Sequence, residues 1–186
     1  MDGVSRIDIV CNRILRGRPG QPQDDTYCGL TIQLNSTTYT AAMKIRTARS
    51  DDLEAVKAML TENDLPASDI TEDLLSDFAV AEDVDGSVVG CVGLERFGAI
   101  ALLRSLTVGG TARNAGLGSR LRAHAEDLAR ANEISELWLL TTTAADFFAR
   151  AGYVVTNRGR APAELQASKQ FAHLCPATAV CLKKSL

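Results

Sequence analysis

The sequence predicts a mixed α/β (α+β) domain, with a central mixed sheet flanked by helices. Three observations lead there. Phe78 to Val108 holds three apolar runs separated only by short turns, the pattern of an antiparallel meander. The third run leads through Arg113-Asn114-Ala115-Gly116-Leu117-Gly118 into a repeat of Leu117, Leu121, Ala125 and Leu128 at helical spacing. Beyond that repeat, strand-like and helix-like stretches alternate to the C-terminus.

Residues 1–42 stand apart from this order. Arg16 to Asp25 is polar and turn-rich with weak periodicity on either side, so 1–42 reads as an N-terminal extension and 43–186 as the folded domain. The extension lacks the apolar stretch of a secretory signal, and Asp2 and Asp8 argue against a transit peptide. An internal start at Met43 is the hypothesis that accounts for the break in composition. Mass spectrometry of the native N-terminus tests it, and a mature chain that keeps 1–42 would sink it.

The elements follow in order. Lys44-Ile45-Arg46 reads as a strand, and Ser50 is placed to cap a helix with Asp51 and Asp52 in its first turn and Leu53, Val56, Met59 and Leu60 on its apolar face. Asp64-Leu65-Pro66 ends that helix, and Thr71 to Asp77 makes a second, short one. The meander strands are Phe78 to Ala81, Ser87 to Leu94 and Ala99 to Val108. They turn at Asp85-Gly86, a strong hairpin signal, and around Arg96-Phe97-Gly98. A long helix runs from Gly116 to about Ala131, followed by a strand over Glu136 to Thr142. Thr143, with Asp146 three residues on, is placed to cap a helix over Ala144 to Ala151 that Gly152 ends. Tyr153-Val154-Val155 is a further strand, Ala161 to Ser168 a short helix begun by Pro162, and Ala177 to Lys183 the last strand.

Composition narrows the class. With 186 residues and 46% hydrophobic content the chain makes one domain with an appendage, and its core is ample. A net charge of −3 and the absence of a long basic run argue against nucleic acid or an anionic membrane as partner, and no apolar run reaches membrane-spanning length. The five cysteines, Cys11, Cys28, Cys91, Cys175 and Cys181, have irregular spacing and no C-x-x-C pair, which fits a reducing cytoplasm. His124 and His173 are far apart, so no metal site is expected.

The segment between the meander and the long helix carries the chemistry. The first turn of a helix leaves backbone N–H groups without intrahelical acceptors and places partial positive charge there, while Gly116 and Gly118 remove the side chains that would block an approaching phosphate. Arg104 is the other marked residue, a charge inside an apolar strand where an unpaired cation is costly. Its partner is either an anionic group of a substrate, which suits the bidentate geometry of Arg, or a structural salt bridge to Glu95 or Asp146.

This order of elements, with the pattern R-x-x-G-x-G, resembles the GCN5-related N-acetyltransferase (GNAT) family over about Lys44 to Lys184. The resemblance implies that the backbone of Arg113, Asn114, Ala115, Gly116, Leu117 and Gly118, with Ser119, holds the pyrophosphate of acetyl-CoA as cosubstrate. Leu106, Thr107 and Val108 would contact its acetyl and pantetheine groups, and Thr141 and Phe148 would complete the cofactor site. It also implies a small-molecule amine as acceptor. Homodimers are common in the family, although no residue here demonstrates one. Glu95, at the end of the meander's second strand, is the candidate base for the amine proton, against the alternative of a surface carboxylate; Glu82 is a weaker candidate. Arg104 and Arg96 are the candidate substrate-binding residues.

One departure matters. The family frequently has a tyrosine four residues before the glycine of Y-x-x-x-G-F/Y, where it protonates the leaving thiolate; this chain has Phe148, without an acidic proton. Tyr153, just past the glycine, reads as a strand or core residue rather than a replacement. Leu102 to Leu106, Leu139 to Thr143 and Phe171 to Cys181 further resemble the arsenic-resistance branch of the family, whose relatives acetylate glutamate-like toxic amino acids such as arsinothricin and phosphinothricin. Cys175 and Cys181 read as small buried residues rather than an arsenic chelate. The alternatives are a protein N-acetyltransferase and a non-catalytic acetyl-CoA or arsenic-binding module.

Overall fold

A computed structural model describes residues 43–186; the extension expected over 1–42, with Cys11 and Cys28, lies outside the described residues. The elements are β1 (Lys44–Thr47), α1 (Leu53–Glu62), α2 (Glu72–Leu75), β2 (Phe78–Glu82), β3 (Val88–Phe97), β4 (Ile100–Val108), α3 (Leu117–Ala131), β5 (Glu136–Thr141), α4 (Ala145–Arg150), β6 (Val154–Thr156), α5 (Ala163–Gln166) and β7 (Val180–Ser185). The strands form one sheet in the order β1-β2-β3-β4-β5-β7-β6. Neighbours are antiparallel except β4 and β5, whose parallel pairing requires the crossover that α3 supplies.

The sheet is close-packed around the meander. A Cβ on Gly93 would lie 2.3 Å from the Phe78 ring, so that position accepts no side chain while Phe78 keeps its fully buried place. α3 lays Leu117 and Leu121 against Gly90 in the same way, and a Cβ there would approach Leu121 Cδ1 to 2.9 Å. The turn from β2 to β3 places Gly86 at φ +85°, the conformation that the Asp85-Gly86 signal demanded.

The structure corrects several local expectations. Ser50 does not cap α1: Ser50–Asp52 is a 3-10 turn, and the buried Asp52 carboxylate accepts from Arg49 N at 2.7 Å while Arg46 donates to it at 2.6 and 2.9 Å. Thr143 is not the cap of α4 either. The fully buried Thr141 Oγ1 accepts from Ala144 N at 3.0 Å, because the strand end already points its hydroxyl at the helix start. The helix expected over Ala161 to Ser168 contracts to α5, with Pro162 one position before it, and is flanked by a 3-10 turn at Arg158–Arg160 and a π turn at Gln170–Leu174. The last strand starts three residues later than expected, at Val180. No helix among the described residues is long and apolar enough to cross a membrane.

Candidate active site

The site is built where β4 and β5 part. They are in register only at Ile100↔Glu136, Ala101↔Leu137 and Leu102↔Trp138, yet β4 continues to Val108 and β5 to Thr141. From Leu103 onward the β5-facing edge of β4 therefore has no strand partner among the described residues. The cause of the bend lies in β4 itself. Its register against β3 shifts between Arg104 and Thr107, so Ser105 and Leu106 together oppose Val92, and Ser105 takes the left-handed φ of +57°. Cys91, a buried thiol pushed up to about 12 by desolvation, donates to the Ser105 carbonyl at 3.3 Å. A small cleft opens at this bulge, walled by Leu102, Leu103 and Ser105 of β4, Leu140 of β5, and Gln170 and Cys175 of the following segment.

That following segment is tied down by one residue that the sequence reading did not single out. Arg158 donates to the carbonyls of Pro176 at 2.9 Å and Cys175 at 3.2 Å and also to that of Phe171, while its guanidinium sits 5.4 Å from the Phe171 ring centroid. Across the turn, Cys175 Sγ donates to Gln170 Oε1 at 3.1 Å.

At the other end of the unpaired β4 edge lies the glycine-rich turn. Asn114 and Gly116 are left-handed, at φ +65° and +78°, and no side chain among the described residues caps the N-terminus of α3. Ser119 N and Arg120 N donate to Gly116 O at 3.1 and 3.2 Å, which leaves the Leu117 and Gly118 amides of the first turn for an outside acceptor. A Cβ on Gly116 would meet nothing within 4 Å, so this glycine is required by its backbone conformation, whereas Gly118 is buried within the first turn of α3. Arg113 Nε donates to Val108 O at 3.1 Å, and its other end reaches Asn63 Oδ1. The geometry fits a phosphate-bearing ligand: an uncapped helix start, an open approach and flanking cations.

Arg104 resolves into a three-residue cluster. Its guanidinium donates to Asp69 through Nη2 at 2.9 Å, lies 2.8 Å from the second Asp69 oxygen through Nη1, and donates from Nη1 to Glu95 Oε2 at 3.0 Å. The side chains of Arg104 and Asp69 are almost completely buried and that of Glu95 is partly open. Of the two structural partners considered for Arg104, Glu95 is present, and Asp69 takes the place expected of Asp146. The cluster forms one wall of an open depression of about 750 Å³, also lined by Asp73, Asp77, Arg96 and Lys169. Arg96 is already engaged, donating to Asp77 at 2.8 Å and to Asn132 at 3.2 Å. Glu82 lies elsewhere, beside Arg46 Nε at 2.6 Å, whose hydrogen bond holds its carboxyl below the usual range.

Residues 75–155 match the family model of an acetyltransferase (GNAT) domain. The chain carries a GNAT acetyltransferase domain. An amino-acid acetyltransferase from Neisseria meningitidis is 32% identical over 133 residues, covering 66% of this chain and 30% of that relative. N-acetylglutamate synthase from Neisseria gonorrhoeae, solved with coenzyme A and N-acetyl-glutamate, has a TM-score of 0.67 at 27% identity, over 77% of this chain and 35% of that one. Rv2747 from Mycobacterium tuberculosis, solved with CoA and NLQ, shares the fold at 21% identity and a TM-score of 0.64, over 77% of this chain and 99% of that one. This chain thus spans about a third of the length of the two Neisseria proteins, 30% and 35%.

Within the GNAT domain the remaining expected residues divide sharply. Phe148 offers no surface to a ligand: it is fully buried, edge-on to Phe147 at 5.0 Å and Tyr153 at 5.1 Å, and so belongs to the core. Thr141 and Leu106 are likewise fully buried, while Thr107 and Val108 retain slight exposure. Tyr153 is buried with its hydroxyl unpartnered among the described residues, and desolvation, reinforced by the nearby Glu126 carboxylate, pushes that hydroxyl far above the usual phenol range. It is unsuited to replace the missing acid. Cys175 and Cys181 are both buried, and burial pushes the Cys181 thiol up to about 11. No group of three or more His, Cys, Asp or Glu side chains among the described residues could hold a metal.

Proposed function

We propose that this chain transfers an acetyl group from acetyl-CoA to the amine of a small amino acid. The observation that carries the reading is the unpartnered β4 edge, which joins the cleft at Ser105 to the uncapped start of α3. Leu103 to Val108 spans about 17 Å at strand rise, the scale of an extended pantetheine arm, with phosphate-binding amides at one end and a cleft at the other. When bound, acetyl-CoA supplies the thioester. Free N–H groups on the β4 edge would polarise its carbonyl oxygen, and the cradle would take the pyrophosphate. The amino-acid substrate is supported by the names of the Neisseria relatives.

The chain's own residues then have distinct tasks. Glu95 takes the amine proton, directly or through water. Arg104 anchors Glu95 rather than receiving a substrate anion, since two carboxylates already occupy its guanidinium. The acceptor's anionic group falls to Arg96 or to Lys169, which has no ion-pair partner among the described residues. With Phe148 and Thr141 in the core and Tyr153 sealed, the thiolate takes its proton from water, from the ammonium being formed, or from the half-buried Thr142 hydroxyl. The finer reading is a glutamate-like toxic acceptor of the arsinothricin or phosphinothricin kind, and it rests on Leu102 to Leu106, Leu139 to Thr143 and Phe171 to Cys181. Phe148 also supports a second reading, an acetyl-CoA-binding module without turnover.

A free-thiol assay with acetyl-CoA decides among these. The panel is glutamate, glutamine, phosphinothricin, arsinothricin and an N-terminal peptide. Turnover of an amino acid is expected; turnover of the peptide alone would move the acceptor to proteins. Acetyl-CoA binding without release of thiol from any of them would establish the non-catalytic module.

A further inference from the structure

Asp69 sits in the loop between α1 and α2, 35 positions before the arginine it binds, and nothing in its local sequence marks it. In the fold it approaches Arg104 from the buried side with both oxygens, Oδ1 at 2.9 Å from Nη2 and Oδ2 at 2.8 Å from Nη1, and the same Nη1 reaches Glu95 on the open side at 3.0 Å. One cation is therefore shared by two carboxylates, one sealed and one facing the depression. A guanidinium held at two oxygens by a buried carboxylate has a fixed plane and a charge already largely offset. Without that hold, the same cation is free to turn fully onto its remaining carboxylate.

We propose that Asp69 is a positioning residue for acetyl transfer: it holds the Arg104 guanidinium from behind, so that Glu95 is oriented by one hydrogen bond and stays available to the acceptor amine. The inference rests on the reading of Glu95 as the base. Removing Asp69's charge turns Arg104 from an anchor into a trap, because an unopposed buried cation then closes on Glu95. The other charged groups around the depression do not substitute for Asp69, since Asp77 pairs with Arg96 at 2.8 Å and Asp73 and Lys169 are exposed on its rim.

Steady-state kinetics of the full chain on its best amino-acid acceptor, with calorimetric titration of acetyl-CoA, test this. Asp69→Asn is expected to lower kcat about tenfold while the KM and Kd for acetyl-CoA stay within about twofold. Asp69→Glu, which keeps a carboxylate behind Arg104, is expected to hold kcat within about threefold of wild type, and the pH at which kcat falls on the acid side is expected to move in Asp69→Asn and to stay in place in Asp69→Glu, a shift that a merely structural contact would not produce. If Asp69→Asn unfolds, Arg104→Lys carries the test, because it keeps the buried charge but cannot be held in a fixed plane at two oxygens. A loss of kcat of about tenfold with an unchanged Kd for acetyl-CoA then supports the role, and a kcat within about twofold of wild type overturns it. An unchanged kcat in folded Asp69→Asn, or a loss that Asp69→Glu shares, also overturns it. Glu95→Gln separates the two levels: full activity in that variant removes the base reading itself, whereas an inactive Glu95→Gln beside an active Asp69→Asn removes only the inference.

Discussion

Two buried ion clusters in this domain use the same chemistry with opposite balance. Around Arg104 one cation meets two carboxylates, Asp69 and Glu95, at the wall of an open depression. Around Glu126 one carboxylate meets Lys184 at 2.8 Å and Arg122, with Arg130 at 4.0 Å, and ties α3 to β7 beneath Tyr153, whose ring lies 5.4 Å from Lys184 Nζ. A buried ion pair is weak testimony to stability, because desolvation offsets most of the attraction. What separates the clusters is therefore access. The first leaves a carboxylate in reach of a ligand; the second leaves only buried groups, the Tyr153 phenol and Arg122 Nε, without a partner among the described residues.

The largest effect should come from the closed cluster. Glu126→Ala leaves Arg122 and Lys184 without their acceptor and is expected to cost about 3 kcal/mol of folding free energy. Denaturant unfolding measures this, and acetyl-CoA affinity should be unchanged; a loss under about 1 kcal/mol would erase the distinction from ordinary surface pairs. The open cluster should behave in the opposite way. Glu95→Gln is expected to lower kcat about a hundredfold with a melting temperature within about 2 °C of wild type. A variant that instead melts early at full kcat would make both clusters structural.

Acid separates them more gently. Burial alone would raise the Glu126 carboxyl, but the hydrogen bonds from Lys184 and Arg122 outweigh it and hold the group below its usual range. A carboxyl whose folded pKa is depressed contributes stability above its unfolded pKa of about 4.3, and that contribution disappears as pH falls through the folded value. The melting temperature should therefore drop below about pH 4.3, and the drop should be shallower in Glu126→Gln. Thermal melts from neutral to acid pH check this; identical slopes would assign the acid loss to Asp52, Glu82 or Glu136, which Arg46 and Lys183 hold down in the same direction.

The smallest effect belongs to Tyr153→Phe. The hydroxyl has no hydrogen-bond partner among the described residues, so its removal should change stability by less than about 0.5 kcal/mol and leave the rate at alkaline pH as it was. A wild-type rate that falls steeply at high pH, with the fall abolished in this variant, would make Tyr153 the acid after all.

Much of the architecture was legible because its signals are local. Asp85-Gly86 announces a hairpin, Leu117, Leu121 and Ala125 repeat at helical spacing, and Arg113 to Gly118 combines small residues with a helix start. Strand ends and caps were less legible. Thr141 and Thr143 are equivalent as sequence, and only the direction in which β5 delivers Thr141 makes it the cap. The short stretch after Gly152 gave least, since its 3-10 and π turns are held by Arg158 through carbonyls 13 to 18 positions away.

The sequence by itself determined the order of strands and helices, the glycine-rich helix start, and the fact that Arg104 needs a partner, because each follows from periodicity, backbone freedom or the cost of an unpaired charge. Only the tertiary structure decided who that partner is, where β4 breaks from β5, and that Phe148 belongs to the core. These depend on contacts such as Asp69 to Arg104 across 35 positions and on one extra residue in the β4 ladder, and no local pattern encodes which distant side chain a fold will bring within 3 Å.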